Sequence, residues 1–117
     1  MKLNEIAFTD AVPIDSYGPG FFRVAGEVHH SPLFVLTSSL SPWGGFEDVD
    51  TLLAKADVLD VIFIGTGAEI AHIPAELRTT LEDAGLGVEI MSTPAACRTF
   101  NVLLSEGRRI AAALVPV

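Results

Sequence analysis

The chain has 117 residues, half of them hydrophobic, and its seven Lys and Arg stand against fifteen Asp and Glu, giving a net charge of −8. This length predicts one domain, residues 1–117, with a single core. The negative charge argues against nucleic acid or an anionic membrane as a partner. No apolar run approaches the roughly 20 residues that span a bilayer, so we expect no membrane insertion.

Two features predict the compartment. Cys97 is the single cysteine of the chain and cannot form an internal disulfide, which fits a reducing environment. The N-terminal residues lack the long apolar stretch of a secretory signal. We therefore predict a soluble, cytoplasmic protein.

The first part of the chain is predicted to be β. Segments 5–9, 20–30 and 33–37 are rich in β-branched and aromatic residues and are separated by Gly and Pro. The Gly-Pro-Gly of residues 18–20 predicts a hairpin or sharp bend, with Tyr17 and Phe21 on either side of it.

From residue 49 the hydrophobic period changes to that of helices. Val49, Leu52, Leu53 and Ala56 form one apolar stripe, which predicts a short helix. Two βα units follow: a strand at 61–65 with a helix from Pro74 to Gly85, then a strand at 87–91 with a helix from Thr93 to Gly107. Residues 109–117 predict a terminal strand. The pattern as a whole predicts an α/β domain of mixed α+β type with a mixed sheet.

The segment Gly65-Thr66-Gly67 raises the question of a nucleotide-binding loop. Ile70 stands where a dinucleotide fingerprint has its third glycine, and the helix begins several residues too late, so we predict no cofactor. The glycines instead predict a sharp strand exit with close backbone approach. Bare amides are nevertheless expected there, beside the helix start at Thr93, where open α/β sheets bind ligands.

Three phrases carry a resemblance to a known family: YGPGFFRV at 17–24, FIGTG at 63–67 and STPAACRTFNVLLSEGRRIAAAL at 92–114. Together they resemble a family of small domains of unknown function whose mitochondrial member is an assembly factor for respiratory complex I (NADH:ubiquinone oxidoreductase). The match covers essentially the whole chain. The resemblance implies a three-layer domain with a mixed central sheet packed between helices and an additional β layer. It implies no established activity outside the mitochondrial branch.

The third phrase supplies most of the candidate ligand residues. Thr93 is either a helix cap, which we favour, or a ligand contact. Asn101 either bonds a loop backbone or faces a ligand. Arg98 and Arg108 each grip a carboxylate or phosphate with two parallel bonds, or pair with a nearby acid such as Glu106.

The remaining candidates are a thiol, the imidazoles and two aromatic residues. Cys97 stands in the first turn of a helix, yet small core filling is favoured over a reactive thiolate. The adjacent His29 and His30 point to opposite faces of a strand, so no metal site is predicted. Trp43 either covers the core edge, which is favoured, or presents an exposed contact.

Two functional hypotheses follow. The first, which we favour, is a non-enzymatic interaction or assembly domain that contacts a protein partner through Tyr17 and Trp43. The second is a domain that binds a small anionic ligand, or an enzyme, with its site formed by these residues: Gly65, Thr66, Gly67, Thr93, Arg98, Asn101 and Arg108. No complete set of acid, base and nucleophile supports catalysis.

Overall fold

The computed structural model describes residues 5–117. Its strands are β1 (Ile6–Ala7), β2 (Ile14–Gly18), β3 (Phe21–Val24), β4 (Glu27–His29), β5 (Leu33–Leu36), β6 (Ser39–Pro42), β7 (Val61–Gly65), β8 (Gly87–Met91) and β9 (Ile110–Leu114). Its helices are α1 (Val49–Leu53), α2 (Ala75–Asp83) and α3 (Thr93–Leu104), with a 3-10 turn at Ala56–Val58.

The central sheet has six strands in the order β1-β6-β5-β9-β7-β8. β9, β7 and β8 are parallel to one another, whereas the pairs β1–β6, β6–β5 and β5–β9 are antiparallel, so the sheet is mixed. All five residues of β9 are buried. Its apolar sequence suits a strand that is covered on both faces of the sheet.

Different layers cover the two faces of this sheet. One face packs on α1 and α2, with Ile62 and Ile64 of β7 against Leu52, Leu77 and Leu81. The other face packs on α3 and on a separate antiparallel sheet of order β2-β3-β4. The mixed sheet predicted from the sequence is confirmed, and so is the packing between helices and an additional β layer that the family resemblance implies.

Three elements differ from the sequence prediction. Strand β2 lies outside the predicted strand segments, which left residues 10–19 between them. The helix expected to include Ala56 ends at Leu53, and Ala56 belongs to the 3-10 turn. β6 was not predicted, because its sequence Ser-Leu-Ser-Pro lacks β-branched residues. β6 is a strand because it forms backbone hydrogen bonds with β5 on one side and β1 on the other.

Candidate functional site

The amides expected to be bare at the end of β7 are bonded within the protein. The Thr66 amide donates to the Met91 carbonyl at 3.0 Å, and the Gly67 amide donates to the Thr93 hydroxyl at 2.8 Å. The Thr93 amide donates to the Gly67 carbonyl at 2.8 Å. The expectation of bare amides here is therefore wrong, because β8 and α3 come close enough to use them.

Packing and backbone conformation explain the two glycines. A Cβ on Gly65 would lie 2.8 Å from Thr93 Oγ1 and 2.9 Å from Thr93 Cα, distances that require a shift. Gly67 has a φ of +113°, which L side chains rarely adopt. The interpretation as a sharp strand exit with close backbone approach is confirmed, and it accounts for the motif without a phosphate.

Thr93 is buried and connects separate chain segments by hydrogen bonds. The helix cap is the preceding residue. Ser92 is the N-cap residue of α3, and its hydroxyl accepts from the Ala95 amide at 3.3 Å. The Thr93 hydroxyl donates to the Val115 carbonyl at 2.6 Å and accepts from the Gly67 amide. The cap was predicted one residue late, on the assumption that Pro94 is the first helical residue. The N–H groups of the first helical turn have no partner within the helix, so proline is tolerated at the second position as well.

Asn101 joins α3 to the additional β layer. Its Oδ1 accepts from the Ile14 amide at 2.9 Å, and its Nδ2 donates to the Ile14 carbonyl at 2.9 Å. The expected bond to a backbone is confirmed, although the partner is strand β2 where a loop was expected. With both polar atoms of its amide used in this way, Asn101 serves structure at this position.

Cys97 faces the core between α3 and the central sheet. Its side chain is buried, and burial raises the pKa of the thiol to about 12. A thiol with such a pKa is almost wholly protonated at neutral pH and is a poor nucleophile. The interpretation of Cys97 as core filling is confirmed.

Trp43 is also a core residue. It is 2% exposed, its indole N–H donates to the Asp48 carbonyl at 2.9 Å, and its ring meets Phe46 edge-on. The interpretation favoured from the sequence is confirmed. The hypothesis of an exposed Trp43 contact is corrected, because the ring is covered and its polar atom has a partner within the fold.

Tyr17 and Arg98, in contrast, come together on the outside. Both line a shallow groove of about 300 Å³ between β2 and α3. Tyr17 is 39% exposed, and Val102, one helical turn after Arg98, is 59% exposed. Within residues 5–117 the Arg98 guanidinium forms no hydrogen bond or ion pair. We call Tyr17, Arg98 and Val102 the β2–α3 surface.

Val102 is the member of this surface that the sequence interpretation missed. The signal was its spacing of four residues from Arg98, which places both side chains on one side of a helix.

Arg108 lies far from the other candidate ligand residues. It follows α3 and precedes β9, at the edge where the parallel strands begin, whereas Gly67 and Thr93 lie where they end. The five residues of β9 separate the two edges by about 16 Å. Arg108 is exposed and pairs with Glu106 at 4.0 Å. The predicted ligand residues therefore do not form one site.

Residues 5–117 contain no group of three or more His, Cys, Asp or Glu side chains arranged to hold a metal ion. No helix in that range has both the length and the apolar character needed to cross a membrane.

Comparisons with known proteins identify the family. Residues 14–115 match the model of the DUF498/DUF598 family of proteins of unknown function, and the chain belongs to this family. It is 50% identical to an uncharacterized protein of Rhodobacter capsulatus, over all of this chain and 94% of that protein.

A second relative has a named role. The chain is 34% identical to NADH dehydrogenase (ubiquinone) 1 alpha subcomplex assembly factor 3 of Danio rerio, over 88% of this chain and 63% of that protein. The chain thus spans less than two thirds of this assembly factor. The resemblance expected from the sequence is confirmed.

A solved structure shows the same fold. The crystal structure of an outer membrane protein from Bartonella henselae superposes with a TM-score of 0.83 at 40% identity, covering 94% of this chain and 98% of that one.

Proposed function

We propose that this protein is a non-enzymatic interaction domain that docks on another protein through the β2–α3 surface. The observation that carries the proposal is that an exposed arginine, Arg98, with no hydrogen bond or ion pair in residues 5–117, lines one groove with two exposed apolar side chains, Tyr17 and Val102. Arginine and tyrosine are enriched among the residues that dominate binding energy at protein interfaces.

The chemistry of this surface specifies its partner. A carboxylate accepts two parallel hydrogen bonds from a guanidinium, so Arg98 suits an Asp or Glu of the partner. Tyr17 and Val102 suit apolar side chains on both sides of that acid. Because the domain carries a charge of −8, the partner segment presents this acid on an otherwise neutral or basic surface.

The fold holds the two halves of the surface in fixed positions. Tyr17 belongs to β2 and is paired with Phe22 of β3. Arg98 and Val102 belong to α3, and Asn101 of the same helix bonds the backbone of Ile14 in β2. Docking on a surface that is already ordered loses little conformational entropy, which favours affinity.

The named role of the relatives supports the same class of function. The Danio rerio relative is called an assembly factor, a protein that acts on other proteins. We propose such a role here, located in the cytoplasm, with a respiratory complex as the first candidate target. The negative charge supports a protein partner over nucleic acid.

Site-specific photo-cross-linking tests the proposal. A photoreactive amino acid replaces Val102 in one chain and Ile70 in a control chain, because Ile70 is 66% exposed and lies outside the surface. We expect one protein to be captured from Val102, at a peptide that contains Asp or Glu, and not from Ile70. Arg98→Gln should abolish that capture while Arg108→Gln leaves it intact. Equal capture from both positions, or capture unaffected by Arg98→Gln, would contradict the proposal.

A further inference from the structure

A second feature of the molecule is a cleft of about 480 Å³. It lies where the parallel strands begin, between the turn joining β5 to β6, the segment that follows α1 and the turn joining α3 to β9. Cavities of a few hundred Å³ are the size of small-molecule sites. We call it the basic cleft, because Lys55, Arg108 and Arg109 all line it.

This concentration of cations is unusual for so acidic a chain. Three of its seven Lys and Arg line one cleft, although the net charge is −8. Their acidic partners, Glu5, Glu106 and Asp60, are not among the residues that line the cleft. Each cation also lies within 4.0 Å of its acid, so an anion in the cleft competes with that acid for the cation.

The three cations are held to different degrees. Arg109 has two contacts: its Nε lies 3.4 Å from Asp60 Oδ1, and its Nη2 donates to the Asp57 carbonyl at 3.3 Å. Lys55 Nζ lies 3.1 Å from Glu5 Oε2. Arg108 has one contact, at 4.0 Å to Glu106, and its side chain is 57% exposed. Such an exposed, long ion pair contributes little stability, so Arg108 is the cation most free to bind an anion.

The rest of the lining defines the ligand. Thr37 and Ser38 add hydroxyl groups at the same cleft, while Leu36, Leu59 and Ile110 supply apolar wall. Guanidinium, ammonium and hydroxyl donors together suit the oxygens of a phosphate group. The apolar wall suits the uncharged remainder of a small phosphate ester.

The backbone around Arg108 is well placed for this task. Gly107 has a φ of +71°, which turns the chain from α3 towards β9. The Arg109 carbonyl accepts from the Asp60 amide at 2.8 Å, which ties this turn to the start of β7. Arg108 is thus an exposed side chain on a turn that is tied to the start of β7.

We propose that the basic cleft binds the phosphate group of a small soluble metabolite, with Arg108 as the principal contact and Lys55 and Arg109 as supporting charges. This site is separate from the β2–α3 surface and does not depend on the docking proposal. The basic residues that form it come from distant parts of the sequence.

Amide NMR titration with inorganic phosphate, at constant ionic strength, tests the proposal. We expect saturable shifts of the Ser38, Gly107 and Arg109 amides at millimolar phosphate. Arg108→Gln should raise the apparent dissociation constant about tenfold or more, since a hydrogen bond to a charged group is lost. Arg98→Gln is the matched control, an exposed arginine outside the cleft, and should leave the titration unchanged.

Three outcomes would overturn the proposal. The first is the absence of saturable shifts in the folded wild type, and the second is equal weakening by Arg98→Gln and Arg108→Gln. The third concerns the source of the phosphate: co-sedimentation with phosphatidylcholine vesicles containing phosphatidylglycerol, lost in Arg108→Gln, would assign the site to a lipid headgroup. Failure of the docking proposal would appear in Arg98→Gln capture experiments, so the two proposals fail separately.

Discussion

The side-chain amide of Asn101 pairs with both backbone groups of Ile14, accepting from its N–H and donating to its carbonyl at 2.9 Å each. Asn101 lies on α3 and Ile14 on β2, so 87 residues separate the partners in the chain. Strand β2 lies at the edge of its sheet, where backbone groups lack a neighbouring strand, and Asn101 of α3 supplies partners for those of Ile14. The same pair fixes the position of β2 beside α3, on which the β2–α3 surface depends.

Asn101→Ala should lower the free energy of unfolding by about 2 kcal/mol, because two backbone groups of Ile14 lose their partners. Urea denaturation of the purified variant measures this change. Val102→Ala is the control: it alters the next, exposed residue and should change stability by no more than about 0.5 kcal/mol. Equal stability of the two variants would show that the pairing contributes nothing.

Thr93→Val should be more destabilising than Ser92→Ala. The first removes a buried hydroxyl that serves the Gly67 amide and the Val115 carbonyl, at a cost of about 2–3 kcal/mol. The second removes a helix cap, at a cost of about 1 kcal/mol. Thr93→Ser keeps the hydroxyl and should recover part of the loss. The reverse order in denaturation experiments would show that the buried Thr93 hydroxyl contributes less stability than the Ser92 cap.

Gly67→Val should destabilise the fold by about 1–3 kcal/mol. The φ of +113° is strained for a β-branched residue. Contact is the smaller concern, because the nearest atom to an added Cβ is the Pro116 carbonyl oxygen at 3.8 Å. An unchanged melting midpoint would show that the segment relaxes to an ordinary φ.

Patterns within short segments predicted most of the fold. The strand Val61–Gly65 and the helix from Ala75 were predicted because buried strands and one-sided helices have distinct hydrophobic periods. β6 was missed because its pairing with β5 and β1 is a tertiary effect that its own residues do not signal.

The candidate sites were predicted less well, because they depend on which segments meet. Tyr17 and Arg98 were both named from the sequence, but as members of different sites, and only the fold brings them to one groove. Lys55 was not named at all: nothing in its own segment indicates that Arg108 and Arg109 lie at the same cleft. Residues that share a motif, such as Thr93 and Arg108, lie at opposite edges of the sheet.

Cys97 should make stability dependent on alkaline pH. Its pKa of about 12 in the folded protein lies above the ordinary value of 9.0, so folding favours the protonated thiol. This contribution is fully present below about pH 9 and is lost as the pH rises towards 12. The unfolding free energy of the wild type should therefore fall relative to that of Cys97→Ala as the pH rises from about 8 to about 11. A constant difference would show that the thiol ionises in the fold as it does in water.

The affinity of the captured partner for folded variants tests the docking proposal most directly. Titration calorimetry should give a dissociation constant about tenfold or more higher for Arg98→Gln than for wild type, since an interface arginine commonly contributes more than 1 kcal/mol. Tyr17→Ala should weaken binding in the same direction. Arg108→Gln, which removes another exposed guanidinium outside this surface, should leave the constant unchanged. Equal constants for wild type and Arg98→Gln, or equal weakening by Arg98→Gln and Arg108→Gln, would contradict the account.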